Sequence, residues 1–302
     1  LVLAVAVTVI EVALLVTLMA SEGDKAASLA RDTVFAAVMI VCNGIVGVCL
    51  LLGALRTGTV RFREQGANAL LGTVLLLATL SLVMPRFTSS SSGPTFTGSQ
   101  LAFSAVSSAA VYGIFVFVQT RGHRWMFLAP DDDTLDEIAP VHGHVDEHRA
   151  GRGFLVQHLL LLLLSLAVVV GLAKVLAPSI ESAVVHAGAP QSFVGVIIAM
   201  MVLLPESLAA FRSASRGDVQ TSLNLSLGSA LASIGLTIPA VAIASIWLDG
   251  PILLGLEGKE IVLLVLTAVL GILTFGRGRA TVLQAVHHLA VFGSFVFLAA
   301  VP

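Results

Sequence analysis

Along this chain the apolar residues fall into long uninterrupted runs, and the polar residues collect between them. Nine runs approach or exceed the roughly 20 residues that carry a helix across a bilayer: 1–20, 33–55, 66–84, 99–119, 154–176, 192–212, 219–248, 259–276 and 280–301. None alternates with a period of two, and all are too long for barrel strands. The pattern predicts an all-α polytopic membrane protein with nine helices in this chain. Two long polar segments interrupt it. Residues 85–100, PRFTSSSSGPTFTGSQ, read as a low-complexity connector. Residues 120–153 carry PDDDTLDEIAPVHGHVDEHRAG and divide the chain into four runs and five. The expected organisation is therefore 1–119, a loop 120–153, and 154–302.

Composition agrees with the pattern. Hydrophobic residues make up 57% and charged residues 11%, where soluble domains carry about 25% charged; the mean hydropathy is +1.00. A net charge of −2 gives no reason to expect a nucleic-acid partner. Cys42 and Cys49 stand seven apart in one run, too far along a helix to bridge, and are expected as small core residues. The start, LVLAVAV, lacks the charged n-region and small-residue cleavage site of a signal peptide.

Lys and Arg in the loops orient the runs. Arg56, Arg61, Arg63, Arg121, Arg124, Arg149, Arg152, Arg212, Arg216, Arg277 and Arg279 fall on one side; Lys25, Arg31, Arg86, Lys174 and Lys259 fall on the other. The richer side is expected to be cytoplasmic. That places the 120–153 loop in the cytoplasm and the C-terminus outside, in a bacterial inner membrane.

The two halves echo each other. AVTVIEVALLVT places Glu11 inside the first run, and MVLLPESLAAF places Glu206 inside the sixth. Each is followed by a run rich in small residues: Gly44 and Gly47 in one, Gly228, Ser229, Ser233 and Gly235 in the other, with Thr33 lining up near Thr221. Small residues let membrane helices approach closely. By the charge count the Glu11 run goes outward and the Glu206 run inward, so the halves are inverted repeats, a plan common in secondary transporters. The second half has a run before its glutamate run, and the repeat predicts at least one helix upstream of Leu1.

Among 18 acidic residues, Glu11 and Glu206 alone lie well inside apolar runs, where a charge costs about 2.5–3.5 kcal/mol on insertion scales. No Lys or Arg in the sequence lies deep enough to neutralise them, so the missing partner is a mobile cation or a proton. Buried carboxylic acids hold protons more readily, and hard cations such as Ca²⁺ bind the ionised oxygens. Two carboxylates match one Ca²⁺, two H⁺ or two Na⁺, so one site can hold either cargo but not both. Pro205 frees the carbonyl of Met201, a further oxygen ligand where backbone lines a cavity. Asp32 and Asp218 stand at the starts of the following helices, as helix-end residues or on an access path.

At these residues the chain resembles a known family. ARDTVFAAVMIVCNGIVGVCLLLG, LLPESLAAFRSASRGDVQTSLNLSLGSALASIGLTIPAV and TFGRGRATVLQAVHHLAVF are similar to bacterial calcium/proton antiporters that also exchange sodium, a branch of the cation/calcium exchanger superfamily. The resemblance implies the inverted-repeat exchanger fold and Ca²⁺ export driven by protons. It implies Glu11 and Glu206 as the alternating Ca²⁺ and H⁺ ligands, with Asn43, Ser229 and Ser233 near the family's auxiliary polar positions. Many superfamily members carry Gly-Asn-Ala-x-Glu at each glutamate; here the asparagine is absent both times. No cofactor is expected beyond the transported Ca²⁺, Na⁺ or K⁺ and H⁺. The expected partners are inorganic cations and the lipid bilayer, with a homo-oligomer left open. A Na⁺(K⁺)/H⁺ antiporter with little Ca²⁺ transport fits the same residues.

In the acidic loop, Asp131, Asp132, Asp133, Asp136, Glu137, Asp146 and Glu147 sit beside His142, His144 and His148. They read as a solvated linker, or as a weak cation or proton sensor without the ligand order of an EF-hand. His142-Gly-His144 has no cysteine or fixed scaffold to complete a zinc site. His287 and His288, inside the last run, are expected as interhelical hydrogen-bonders, with a proton-relay role as the alternative. An intramembrane metal-dependent hydrolase would need a convergent metal set or nucleophile, and no HExxH occurs; a cation channel would need a continuous pore.

Overall fold

The computed structural model describes residues 27–129, 192–247 and 252–301, with scattered positions in 12–19 and 157–190. Among the described residues seven helices are long and apolar enough to cross a membrane: α1 (Leu29–Thr57), α2 (Glu64–Arg86), α3 (Gly98–Gly122), α4 (Ser192–Ser215), α5 (Val219–Ala244), α6 (Gly258–Phe275) and α7 (Val282–Ala300). They match seven of the nine apolar runs. The runs 1–20 and 154–176 lie mostly outside the described residues, although their described positions are helical.

Two boundaries differ from the hydrophobic pattern for physical reasons. Helix α1 begins four residues before the apolar run, taking in Arg31 and Asp32. The Arg31 Nε donates to Asp32 Oδ1 at 2.7 Å, and both residues are buried; the pair cancels the charge that defined the sequence boundary. Helix α5 stops at Ala244, where Ser245 Oγ donates back to the Ala242 carbonyl and Trp247 is left exposed, as an aromatic at a membrane interface would be. Elsewhere the caps set the starts. Thr97 and Gln100 form a capping box on α3, Thr281 and Gln284 one on α7, and Asp218 accepts from the Thr221 N–H at 2.9 Å to open α5. Gly217, at φ +93°, makes the tight turn that joins α4 to α5.

Helices α1 and α5 form the centre: 89% and 67% of their most apolar stretches are buried, against 22–50% in the other five. Both pack on α4. The small residues explain how they fit. A side chain at Gly47 would meet Leu289 at 2.9 Å, and one at Gly44 would meet the Phe292 ring at 3.2 Å, so these glycines let α7 lie against α1. Gly195 of α4 does the same against the backbone of Asp32 and Thr33, and Gly235 of α5 against the Tyr112 ring of α3. Within α1, residues Ile40–Ile45 form a π-helical turn, with Asn43 in its middle.

The loops gather at two ends. At one end, Thr59–Arg61 (β1) pairs antiparallel with Arg279–Thr281 (β2), Val60 opposite Ala280. There Gln220 accepts from the Arg63 N–H at 2.6 Å, and the Arg63 side chain donates to the carbonyls of Leu128 and Ala129. The ribbon end thus collects the loops carrying Arg56, Arg61, Arg63, Arg277 and Arg279. At the other end, Leu253 donates to the Ala27 carbonyl, Gly255 to Pro94 and Leu256 to Leu82, each at 2.8–2.9 Å. Five described spans separate β1 from β2, an odd number of crossings.

Candidate functional site

Glu206 lies on α4, about 11 residues before the turn at Gly217, and Ser229 lies about as far beyond it on α5. At 1.5 Å per residue both stand roughly 17 Å from the ribbon end, near the middle of a 30 Å hydrocarbon layer. The Ser229 hydroxyl donates to Glu206 Oε2. Glu206 is 1% exposed, and its Oε1 has no hydrogen-bond partner among the described residues. No ion pair to Glu206 occurs among them either. A carboxyl oxygen in that setting is expensive unless it takes a proton or a cation.

Ser229 belongs to a longer feature. Ser222, Ser226, Ser229, Ser233 and Thr237 are all buried, and at 100° per residue they fall within an arc of about 80° on α5. Towards the ribbon end this stripe meets α1, where the Cys49 thiol lies against the Ser222 and Ser226 hydroxyls. The spacing of four, three, four and four residues was present in the sequence, yet only Ser229 and Ser233 were singled out there; Ser222, Ser226 and Thr237 were missed.

The other sequence candidates separate. Asn43 bonds to α6 and α7. Its amide donates to Thr267 Oγ1 at 2.9 Å, its carbonyl oxygen meets His288 Nδ1 at 3.3 Å, and His288 Nε2 meets Thr274 Oγ1 at 3.1 Å. His288 is thus an interhelical hydrogen-bonder, whereas His287 is exposed. Met201 is 38% exposed and shares an exposed face with Leu204 and Pro205, whereas Glu206 is buried. Asp32 is held by Arg31 and by the Ser28 hydroxyl at 2.8 Å. It borders a cavity of about 30 Å³ that Phe35, Val196, Glu260, Leu263 and Phe295 also line. Asp218 is the α5 cap. Cys42 and Cys49 are free and buried. Glu11, and the loop residues Asp131, Asp132, Asp133, Asp136, Glu137, His142 and His144, lie outside the described residues. Among the described residues no group of three or more His, Cys, Asp or Glu is placed to hold a metal ion.

A buried carboxyl on α4, bonded to the central helix α5, in a bundle of long apolar helices is an arrangement suited to a membrane cation transporter. The sodium/calcium exchanger family model matches residues 1–121 and 157–301, and the chain belongs to that family, within the cation/calcium exchanger superfamily. It is 44% identical over 300 residues to the y4hA protein of Sinorhizobium fredii, covering 99% of this chain and 79% of that one. It is 33% identical over 296 residues to the sodium-potassium/proton antiporter ChaA of Escherichia coli, covering 98% and 78%. Its fold is similar to that of the H⁺/Ca²⁺ exchanger CAX, with a TM-score of 0.66 over 98% of this chain and 75% of that one, at 13% identity. The inverted-repeat exchanger fold follows from this membership. The chain is a secondary transporter of inorganic cations and not an enzyme, which sets the hydrolase aside.

Proposed function

We propose that this protein is an antiporter that exports Ca²⁺ in exchange for H⁺ by alternating access, with Glu206 and Glu11 as the groups that hold either cargo. The observation that carries this is Glu206: buried at mid-depth, one oxygen steadied by Ser229, the other without a partner among the described residues. The inverted repeat, 1–119 and 154–302 joined by the 120–153 loop, supplies Glu11 as its counterpart. The Arg-rich ribbon end is the cytoplasmic face. A cation entering from that face displaces the protons, and protons taken up outside displace the cation.

A second function is favoured by one observation. ChaA is a sodium-potassium/proton antiporter, and the described side-chain oxygen bonded to Glu206 is the neutral Ser229 hydroxyl, with no second carboxylate beside it among the described residues. Purified protein in liposomes, given Ca²⁺, Na⁺ and K⁺ separately with an internal pH dye, separates the two. Proton flux expected with Ca²⁺ supports the first, and flux with Na⁺ or K⁺ alone supports the second. Flux with none of them, or wild-type flux from Glu206→Gln, removes the proposal.

A further inference from the structure

Hydroxyl side chains inside these helices usually donate to the carbonyl four residues back. Thr57, Thr73, Thr79, Thr120, Ser207, Ser226, Thr267 and Ser294 all do so. Thr33 and Thr237 do not. Both are buried, at 1% and 0% exposure, and neither Oγ1 has a hydrogen-bond partner among the described residues. Each could close the same local bond and does not, so each leaves a hydroxyl oxygen free inside the bundle.

Their positions relate them. Helices α1 and α5 run antiparallel, with Cys49 against Ser222 and Ser226. Sixteen residues back along α1 and about 13 forward along α5 are roughly 24 and 20 Å at 1.5 Å per residue, which brings Thr33 and Thr237 within about one turn of each other along the axis. Thr237 continues the hydroxyl stripe about 12 Å beyond Ser229, away from the ribbon end. Thr33 follows Asp32, which borders the cavity between α1, α4, α6 and α7; Lys259 and Glu260 line that cavity as well. The order from the outer end inward is therefore Asp32, Thr33 with Thr237, Ser233, then Ser229 with Glu206.

We infer that Thr33 and Thr237 form a transit station for a dehydrated hard cation, between Glu206 and the end of the bundle opposite the ribbon. The station deepens the exchange function proposed above and rests on it. Hard cations take oxygen ligands. Neutral hydroxyls replace part of the hydration shell without the deep trap that a third carboxylate would make, as a conducting path requires. Glu206 holds the ion; the two threonines pass it to and from the outer face.

The test uses Thr33→Val and Thr237→Val, which keep the side-chain shape and remove the oxygen, with Ser104→Ala as a control in the separate Ser81–Ser104–Ser108 cluster. Each variant is reconstituted and its KM and maximal rate for Ca²⁺ and Na⁺ are measured, together with the Tm with and without each ion. Each threonine variant is expected to lower the rate-to-KM ratio roughly tenfold, the scale of one oxygen ligand to a charge. The ion-free Tm should stay level or rise, because an unpaired buried hydroxyl has been removed. Unchanged kinetics, or a fallen ion-free Tm that marks the hydroxyls as structural, overturns the station. If the wild type exchanges no cation for protons, the exchange function fails by itself. The ion-dependent rise in Tm then decides: a smaller rise in Thr237→Val keeps the station, and an equal rise removes it.

Discussion

Two polar clusters are buried in this bundle, and they differ in one respect. On the α6–α7 side of α1, Asn43, Thr267, His288 and Thr274 form a closed chain in which the named hydrogen-bonding groups have partners. On the α4–α5 side, Glu206, Thr237 and Thr33 each keep a buried oxygen without a partner among the described residues. A closed network in a membrane joins helices. An open one costs stability and persists where something else completes it. Asn43 and Glu206, both site candidates in the sequence, therefore differ in hydrogen bonding: among the described residues the first is satisfied and the second keeps one oxygen open.

The difference can be broken from either side. The largest effect is expected from Glu206→Gln: cation-driven proton flux abolished in liposomes, with the Tm in detergent unchanged or higher because a buried ionisable group has gone. A marked fall in Tm would instead place Glu206 with the structural network. Next, His288→Leu leaves Asn43 and Thr274 each short of a partner. It should cost about 1–3 kcal/mol, read as a lower unfolding midpoint, with KM for the cation unchanged in the protein that remains folded. Ser229→Ala removes the donor that Glu206 has among the described residues. It should raise the KM roughly tenfold, the worth of a hydrogen bond to a charged group, while moving the Tm less than His288→Leu does. The smallest effect is the coupling between Asn43→Ala and Thr267→Ala. In a double-mutant cycle on unfolding it should be about 0.6 kcal/mol, the usual value for a hydrogen bond between membrane helices. A coupling near zero would deny that the closed network joins α1 to α6.

Much of the fold was legible because a bilayer imposes one rule. Backbone groups must bond within their own segment, so long apolar runs become helices; seven of the nine runs are described as such. The misses came from pairing. Arg31 looked like a loop residue until Asp32 was seen to cancel it. The stripe from Ser222 to Thr237 had the right period, yet the face it occupies needed a neighbour, because Gly228, Gly235 and the serines are all small. Met201 was chosen for its freed carbonyl, but the side of α4 that Pro205 opens depends on which face Glu206 turns inward.

The sequence by itself determined the membrane class and the inverted order of the halves, since these depend on hydrophobic length and loop charge, and it put Glu206 inside an apolar run, where no ion pair reaches it among the described residues. Tertiary packing decided which polar atoms are satisfied. A hydroxyl or amide on a helix carries the same letter whether or not a partner from another helix reaches it, and only the approach of α6 and α7 to Asn43, and of α5 to Glu206, sets one apart from the other.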